Sequence, residues 1–450
     1  MSVDPKTQLG FAAVGANAAD EGEATVRRPS PAAEPDPPSN AFSVIDLAAS
    51  PASPSAVTTV TLSHDDPVQG IAVDRTDEIA VVVSGSLAAG SSDGFVDVFD
   101  ESTLLASFRA DRVSAPALGS GPSGPSGPSG TLAIPEPNGV PEFPRTVQYD
   151  IATDQVVINV ANNSNCPEGA NCNGYFDFDP VTETFGSFVA GRGPVNFALD
   201  QTLHFLLEPS RLDSTVDSEG QINIIDTATT PPEECVLTDA NLSGADIGSA
   251  SDPTTGIELV SNEAGQLIAL NLFGATVSGS PAEEGCTVNE GGTTPNSTIP
   301  VFASPDQDMT VQVLAHQLFF TDSDFFIHLT QLPLATAAQI DPTAFTNLAD
   351  SALPTDPNGC QVVFSFNTNE TAIDPVGNFA YLLDLSAMTG DPTFLVQINL
   401  ADFIDNQDAL GTPLPTGTCP PGNAFACSNG EGVTFFPLPG ASEAGASCPG

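Results

Sequence analysis

The segment PVQGIAVDRTDEIAVVVSGSLAAGSSDGFVDVFDESTLLASF, residues 67–108, contains four short apolar runs separated by turn-forming residues. The runs are GIAVD, EIAVVVS, GFVDVFD and LLASF. In the third run, apolar residues are set against Asp97 and Asp100, which is typical of a strand with one buried face. Four strands in about forty residues match the size of one blade of a β-propeller.

The third run recurs along the chain. It reads GFVDVFD from Gly94, GYFDFD from Gly174 and GQINIID from Gly220, with weaker copies GQLIALN from Gly265 and FLVQINL from Phe394. Gly174 and Gly220 are 46 residues apart, and Gly220 and Gly265 are 45 apart. A constant period near this length predicts units that bury their faces by stacking on their neighbours.

The first two strands of the unit recur as well. AVDRTDEIAVV from Ala72 aligns without gaps with AIDPVGNFAYL from Ala372. Residues 220–227 and 191–200 resemble the YVTN-type (lactonase-like) β-propeller repeat, in which a G-x-[IV]-x-V-[IV]-D-x-x-T strand is joined to a VGxxPxGIAVSPDG link, although the Tyr-Val-Thr-Asn signature is absent. We therefore predict an all-β chain that forms a single propeller of four-stranded blades. Seven blades are expected, with six or eight as alternatives.

Composition divides the chain into three parts. Residues 1–40 are rich in Pro and acids and are expected to be a disordered, leader or linker segment; residues 41–440 form the propeller; residues 441–450 are a tail. A Gly-Pro-Ser insertion at residues 119–130 is predicted to be a flexible tether.

The two ends of the propeller region each contain an incomplete blade. AFSVIDL from Ala41 and VTTVTL from Val57 match third and fourth strands, while GVTFFPL from Gly432 reads as an inner strand without outer partners. We expect the amino-terminal strands to complete the last blade and so close the ring, which removes exposed sheet edges.

The charge of the chain excludes several partners. It has 57 Asp and Glu against 9 Lys and Arg, a net charge of −48 and a pI near 4.1. Such a surface repels nucleic acids and anionic membranes, and no segment has the apolar length of a membrane span. The acids indicate either a solvated surface suited to a saline exterior or a Ca²⁺ site, for example in TDSD from Thr321 or LDSTVDSEG from Leu212.

The eight cysteines favour disulfides over a zinc site, because no C-x-x-C pair is present. Short spacing predicts the pairs Cys166–Cys172 and Cys419–Cys427. The remaining cysteines would then pair as Cys235–Cys286 and Cys360–Cys448. Disulfides place the chain in an oxidising compartment, as a secreted, periplasmic or cell-surface protein.

No catalytic motif is present, but one set of residues is a candidate ligand site. His64, Asp65 and Asp66 precede the inner strand of one blade, and Arg145 and Arg192 precede the inner strands of the next two. In a propeller these loops share one face. The residues would either cap loops and balance charge or bind a polar ligand or ion.

Two functions fit these features. The first is a secreted or cell-surface binding or scaffold module for a protein, glycan or small molecule, with no enzymatic activity. The alternative is a propeller enzyme of the lactonase or dehydrogenase kind, with its site in the central funnel and a bound metal or cofactor. The missing catalytic motifs favour the first function.

The charge imbalance leads to a prediction about salt. Folding brings unpaired carboxylates together, and the Debye length falls from about 30 Å at 0.01 M salt to about 3 Å at 1 M. The melting temperature should therefore rise with NaCl, as a thermal scan would show. A melting temperature that falls as salt rises would contradict this reading of the surface.

Overall fold

The computed structural model describes most of the strands and short turns of the chain. The structural statements below refer to residues 1–14, 40–48, 57–64, 66–85, 94–106, 130–136, 143–161, 174–190, 197–210, 220–229, 232–239, 246–262, 266–272, 297–300, 305–322, 326–333, 345–352, 371–385, 392–405, 427–428 and 433–437.

Seven antiparallel sheets form the blades of a β-propeller, which confirms the predicted fold and blade number. In each blade the strands follow one another outward from the centre of the ring. Blade 1 contains β1 (Ser2–Asp4), β2 (Leu9–Val14), β3 (Ala41–Asp46) and β4 (Val57–Thr61). Blade 2 contains β5 (Val68–Asp74), β6 (Ile79–Ser84), β7 (Phe95–Asp100) and β8 (Gly130–Ala133). Blade 3 contains β9 (Phe143–Asp150), β10 (Gln155–Ala161) and β11 (Gly174–Asp179), with its outer edge split into β12 (Thr184–Phe185) and β13 (Val189–Ala190).

The other four blades repeat this order. Blade 4 contains β14 (Ala198–Asp200), β15 (Phe205–Ser210), β16 (Gly220–Asp226) and β17 (Glu233–Asp239). Blade 5 contains β18 (Asp246–Asp252), β19 (Ile257–Asn262), β20 (Gln266–Asn271) and β21 (Ser297–Pro300). Blade 6 contains β22 (Pro305–Gln312), β23 (Gln317–Asp322), β24 (Phe326–Gln331) and β25 (Thr346–Ala352). Blade 7 contains β26 (Thr371–Asp374), β27 (Phe379–Leu385), β28 (Pro392–Asn399), β30 (Val433–Pro437) and, outermost, β29 (Cys427–Ser428).

Within the described residues, helical structure is limited to two short segments that follow third strands. The first, α1, is described over residues 101–106, and the second, α2, is Leu400–Asp405. Among the described residues, no helix has the length and apolar character needed to cross a membrane.

The core is divided into seven apolar clusters, one at each interface between neighbouring blades. Val and Leu are the commonest residues in these clusters, followed by Ile and Phe, and the β-branched and aromatic side chains pack well on a pleated sheet. The cluster that contains Val3, Ala12, Ala372 and Tyr381 joins blade 1 to blade 7 and closes the ring.

The predicted mode of closure is wrong. Residues 41–62 and 432–438 were expected in one shared blade, but β3 and β4 pair in blade 1 whereas β30 pairs with β28 in blade 7. The missing inner pair of blade 1 is β1 and β2. Ring closure therefore depends on side-chain packing between two complete blades, with no strand shared between the ends.

The same strands lie within the segment 1–40 that was predicted to precede the propeller. Residues 2–14 contribute β1 and β2 to blade 1, and β2 pairs with β3 along its full length. Residues 15–39, the insertion at 119–130 and the tail at 441–450 lie outside the described residues.

Cys235 is buried in blade 4 and is disulfide-bonded. The side chains of the other seven cysteines lie outside the described residues, so the four pairings stay predictions.

A substitution in blade 1 tests whether residues 1–14 belong to the folded core. Phe11, in β2, is fully buried in the cluster between blades 1 and 2. Phe11→Ala should lower the free energy of unfolding by about 3–5 kcal/mol, because it leaves a cavity. Val376→Ala, at a side chain that is 74% exposed, should change it by at most about 0.5 kcal/mol. Urea unfolding of the two variants measures both values. Equal, small effects would mean that residues 1–14 lie outside the folded core.

Candidate functional site

The turns at one face of the ring share a capped structure. Since the blades are antiparallel, turns after the first and third strands lie on the same face, which we call the turn face. At the end of each first strand, a side-chain oxygen accepts the backbone N–H two residues ahead, at 2.8–3.1 Å. The capping residues are Asp4, Asp74, Asp150, Asp200, Asp252, Gln312 and Asp374, and all seven are buried. Such caps replace the hydrogen bonds that the turn itself cannot make.

The fifth residue of each turn has a left-handed backbone. Its φ lies between 52° and 68° at Gln8, Glu78, Asp154, His204, Gly256, His316 and Asn378. In six blades its carbonyl accepts the N–H of the residue that follows the third strand, at 2.8–3.1 Å. In blade 3 that residue is Pro180, which has no N–H. The left-handed residue thus joins the two turns of a blade.

The turn residues also connect neighbouring blades. The hydroxyls of Tyr149 and Thr76 are hydrogen-bonded across blades 2 and 3 at 2.9 Å, and His316 contacts Asp252 across blades 5 and 6 at 2.8 Å. Other turn side chains bridge blades 6 and 7 (Gln312 to the Pro375 carbonyl, 3.0 Å) and blades 7 and 1 (Gln8 to Asp374, 3.4 Å). The turn face is therefore a continuous hydrogen-bonded ring.

Two interfaces contain a buried second carboxyl group. Burial in a medium of low polarity raises the pKa of Glu101 to about 8, despite the hydrogen bond from Thr7, and the charge of Asp4 adds to the rise. Burial, followed by the charge of Asp200, raises the pKa of Glu258 well above its usual range. Both are fully buried. Glu258 Oε1 accepts from Ser251 at 2.7 Å, and the carboxyl faces Asp200 across the interface of blades 4 and 5.

A central channel of about 330 Å³ is lined by residues from the first strands of all seven blades. Its mouth lies on the turn face, where the second residues of six turns surround it: Arg75, Ile151, Gln201, Pro253, Val313 and Pro375. The first strands thus form the wall, and the turns form the rim. Such concave sites at the axis of a ring are common ligand sites.

The channel lining combines apolar residues with neutral polar side chains, among them Gln148, Gln201 and Ser249. Among the described residues that line it, Arg75 is the single charged side chain, and none is His, Cys, Asp or Glu. Arg75 is exposed at the rim and donates to the Val3 carbonyl at 3.4 Å. Desolvation lowers the pKa of Arg75, but a guanidinium stays protonated in proteins. The lining can bind and orient a ligand but provides no general acid or base among these residues.

Exposed apolar side chains concentrate on the turn face. Among the described residues, the large exposed ones are Ile151, Val181, Leu314 and Val376, with 53–74% of each side chain accessible. Ile151, Leu314 and Val376 are in turns after first strands, and Val181 is in the turn after the third strand of blade 3. Single exposed apolar residues are common, but here all four occupy one face.

Two of the five residues predicted as a ligand site, His64 and Asp66, lie close together at the opposite face. His64 Nε2 lies 2.7 Å from Asp97 Oδ2, and His64 Nδ1 lies 3.7 Å from Asp66 Oδ2. The imidazole stacks on Phe95, with ring centroids 4.6 Å apart. Asp97 also accepts from Thr131 at 2.5 Å, so the group ties the loop before β5 to β7 and β8.

Both ring nitrogens of His64 point into the protein. Nε2 faces Asp97, and Nδ1 is buried with no hydrogen-bond partner. Neither ring nitrogen is open to a substrate. Asp65 and Arg192 lie outside the described residues, and for Arg145 the structure describes the backbone, which is part of β9. A ligand site formed by all five residues stays a prediction.

Sequence reasoning missed Asp97, because it is 33 residues from His64. Its position in the third strand, among apolar residues of the repeat, was the available signal. Both Asp-rich segments proposed for calcium lie partly outside the described residues, at 211–219 and 323–325.

Comparison with known proteins assigns the chain to no family. No protein-family model and no curated protein matches the sequence. The structure is similar to the Cps50 (Swd1) β-propeller domain of Myceliophteria thermophila, with a TM-score of 0.48 and 11% identity over 83% of this chain and 96% of that one. It is also similar to a chain of a nidogen/laminin complex, with a TM-score of 0.37 and 11% identity over 72% of this chain and 89% of that one. Both neighbours are β-propeller domains, and neither says what this chain binds.

Glu101 gives a prediction about pH. A carboxyl whose pKa is higher in the folded state stabilises the protein at low pH, and this contribution is lost as pH rises through the folded pKa. For Glu101 the loss spans pH 4.5 to about 8, at roughly 1.4 kcal/mol per pH unit. Glu101→Gln keeps an acceptor for Thr7 and cannot ionise. Its melting temperature should exceed that of the wild type increasingly from pH 5 to pH 8.5. A difference independent of pH would contradict a buried, protonated Glu101.

Proposed function

We propose that the protein is a YVTN-type β-propeller binding module that receives a partner protein on its turn face. The observation that supports this most is the position of the channel mouth and of the exposed Ile151, Leu314 and Val376 on the same face. Removing apolar surface from water contributes roughly 25 cal/mol per Å², so a partner that covers these side chains gains affinity there. The hydrogen-bonded turns hold the surface rigid, which lowers the entropic cost of binding.

The negative charge of the turn face indicates which charge the partner should have. Asp77, Asp100, Asp154 and Asp402 are exposed in its turns. Lys6 and Arg75 are the cationic side chains described there, and Lys6 is paired with Glu78 at 2.8 Å. The partner should present an apolar side chain for the mouth, surrounded by Lys or Arg. Opposite charges increase the rate of encounter and exclude anionic competitors.

The proposed setting is an oxidising compartment, with the protein secreted, periplasmic or at the cell surface. The even number of cysteines and the disulfide at Cys235 support this setting. A strongly acidic surface is also compatible with a saline exterior.

A binding function is favoured over an enzyme of the lactonase or dehydrogenase kind. Such an enzyme needs acid–base or metal-binding side chains at the funnel, and the described lining contains Arg75 as its one charged group. His64, in the loop before β5, and Asp97, in β7, lie towards the opposite face, where their contacts are with one another and with neighbouring strands.

The proposal can be tested with two variants of equal charge. Leu314→Asp/Val376→Asp places two acids on the turn face, and Thr61→Asp/Ser63→Asp places two at exposed positions where blade 1 meets the opposite face. Each protein is immobilised and exposed to the extracellular fraction of its source. Captured proteins are quantified by mass spectrometry and then purified for calorimetry.

The expected result is one partner that binds the wild type and the Thr61/Ser63 variant alike, and binds the Leu314/Val376 variant at least tenfold more weakly. Its binding should weaken with NaCl. A partner that ignores the turn-face substitutions, or no specific partner at all, would refute the proposed surface.

A further inference from the structure

Three carboxylates meet on the turn face between blades 2 and 3. Asp74 ends β5, Asp77 lies three residues later in the same turn, and Asp154 is the left-handed residue of the blade 3 turn. One oxygen of each lies within 4.8 Å of the other two. Asp74 is fully buried, whereas Asp77 and Asp154 are exposed. The cluster of three carboxylates is thus buried at Asp74 and open to solvent at Asp77 and Asp154.

The buried carboxylate has one oxygen without a partner. Asp74 Oδ1 accepts the N–H groups of Thr76 (2.8 Å) and Asp77 (3.1 Å), as the turn requires. Asp74 Oδ2 is buried and has no hydrogen-bond partner. A bare buried carboxylate oxygen is costly unless a cation or a donor compensates it.

The equivalent turns of blades 1 and 3 contain a hydroxyl donor that the turn of blade 2 lacks. In blades 1 and 3 the hydroxyl three residues after the capping Asp donates to its second oxygen, from Thr7 to Asp4 at 3.0 Å and from Thr153 to Asp150 at 2.9 Å. In blade 2 that position is Asp77. A carboxylate thus replaces the hydroxyl donor and faces a second carboxylate.

The surrounding side chains do not neutralise the three acids. The Tyr149 hydroxyl has one proton, and Asp154 Oδ1 lies 2.5 Å from it. Of the described cations nearby, Lys6 is bonded to Glu78, and Arg75 donates to the Val3 carbonyl.

We propose that Asp74, Asp77 and Asp154 bind a calcium ion that links blades 2 and 3. Calcium accepts six to eight oxygen ligands in irregular geometry, so three carboxylates on an exposed rim leave room for water as the other ligands. Magnesium needs a near-ideal octahedron and gives up its water reluctantly. The dissociation constant should be on the order of 10⁻⁴–10⁻³ M, as in extracellular modules. The site does not depend on the proposed partner, because no apolar residue of the mouth takes part.

Asp77→Asn/Asp154→Asn tests the site without breaking the turns. Asparagine at residue 77 can donate to Asp74 Oδ2, as the threonine of blades 1 and 3 does. Asparagine at residue 154 tolerates the left-handed backbone. Asp402→Asn is the control, since Asp402 is exposed on the same face outside the cluster.

Calcium binding is measured by isothermal titration of the full chain with CaCl₂, with MgCl₂ at the same ionic strength as comparison. The wild type and Asp402→Asn should bind calcium with the same affinity. The Asp77/Asp154 variant should bind it at least tenfold more weakly.

Thermal unfolding provides a second test, in which the difference in melting temperature between the variant and the wild type depends on calcium. Without calcium, the Asp77/Asp154 variant should melt at a higher temperature than the wild type, because two repelling charges are removed. With millimolar CaCl₂ the wild type should gain melting temperature beyond the effect of NaCl at matched ionic strength, since bound ligand stabilises the folded state by RT ln(1 + [L]/Kd). The variant should lack this gain.

The proposal is overturned if calcium and sodium act alike on the wild type at matched ionic strength. It is also overturned if the Asp77/Asp154 variant retains calcium affinity equal to that of Asp402→Asn. Neither result would affect the turn-face partner, which is tested with different residues.

Discussion

The propeller depends on the capped, left-handed turn at the end of each first strand. Five residues reverse the chain, and the fifth must adopt a positive φ, which costs roughly 1–2 kcal/mol for residues other than glycine. Glycine stands at this position only in blade 5, at Gly256, whereas Gln8 and Glu78 accept the strain elsewhere. The hydrogen bonds of the capping oxygen and of the fifth carbonyl compensate for it. The same turn therefore fixes the end of each blade and its spacing from the third strand.

This turn changes how the acidity of the chain should be understood. Capping oxygens come from Asp at six of the seven first strands, and Asp46, Asp100, Asp179 and Asp226 cap turns after third strands in the same way. Part of the negative charge is thus a structural requirement of the repeat, and the caps of the first strands are buried within it. The remaining exposed carboxylates, including Asp77 and Asp154, are those free to interact with salt, metal ions or a partner.

The repeated strand pattern of the sequence was sufficient to predict the fold and the number of blades. Features that occur in a single blade could not be predicted from it. The period and the strand pattern predicted seven blades. The pattern is recognisable because six of the seven third strands end in Asp or Asn. The inner pair of blade 1 was missed because β1 has three residues and residues 15–39 separate β2 from β3. The contact of His64 with Asp97 and the approach of Asp154 to Asp77 join residues on different strands or blades. Such contacts follow from the three-dimensional register, which one sequence does not display.

Closure between two complete blades has a consequence for how the chain reaches its native state. Every described sheet pairing joins strands of one contiguous segment, so each blade can form its ladder from residues that are near in sequence. The seam is different, because Gln8 and Asp374 are 366 residues apart. The entropy of closing so long a loop grows only logarithmically with length. Folding can then advance blade by blade during synthesis, with docking of the first blade on the last as the final, long-range step.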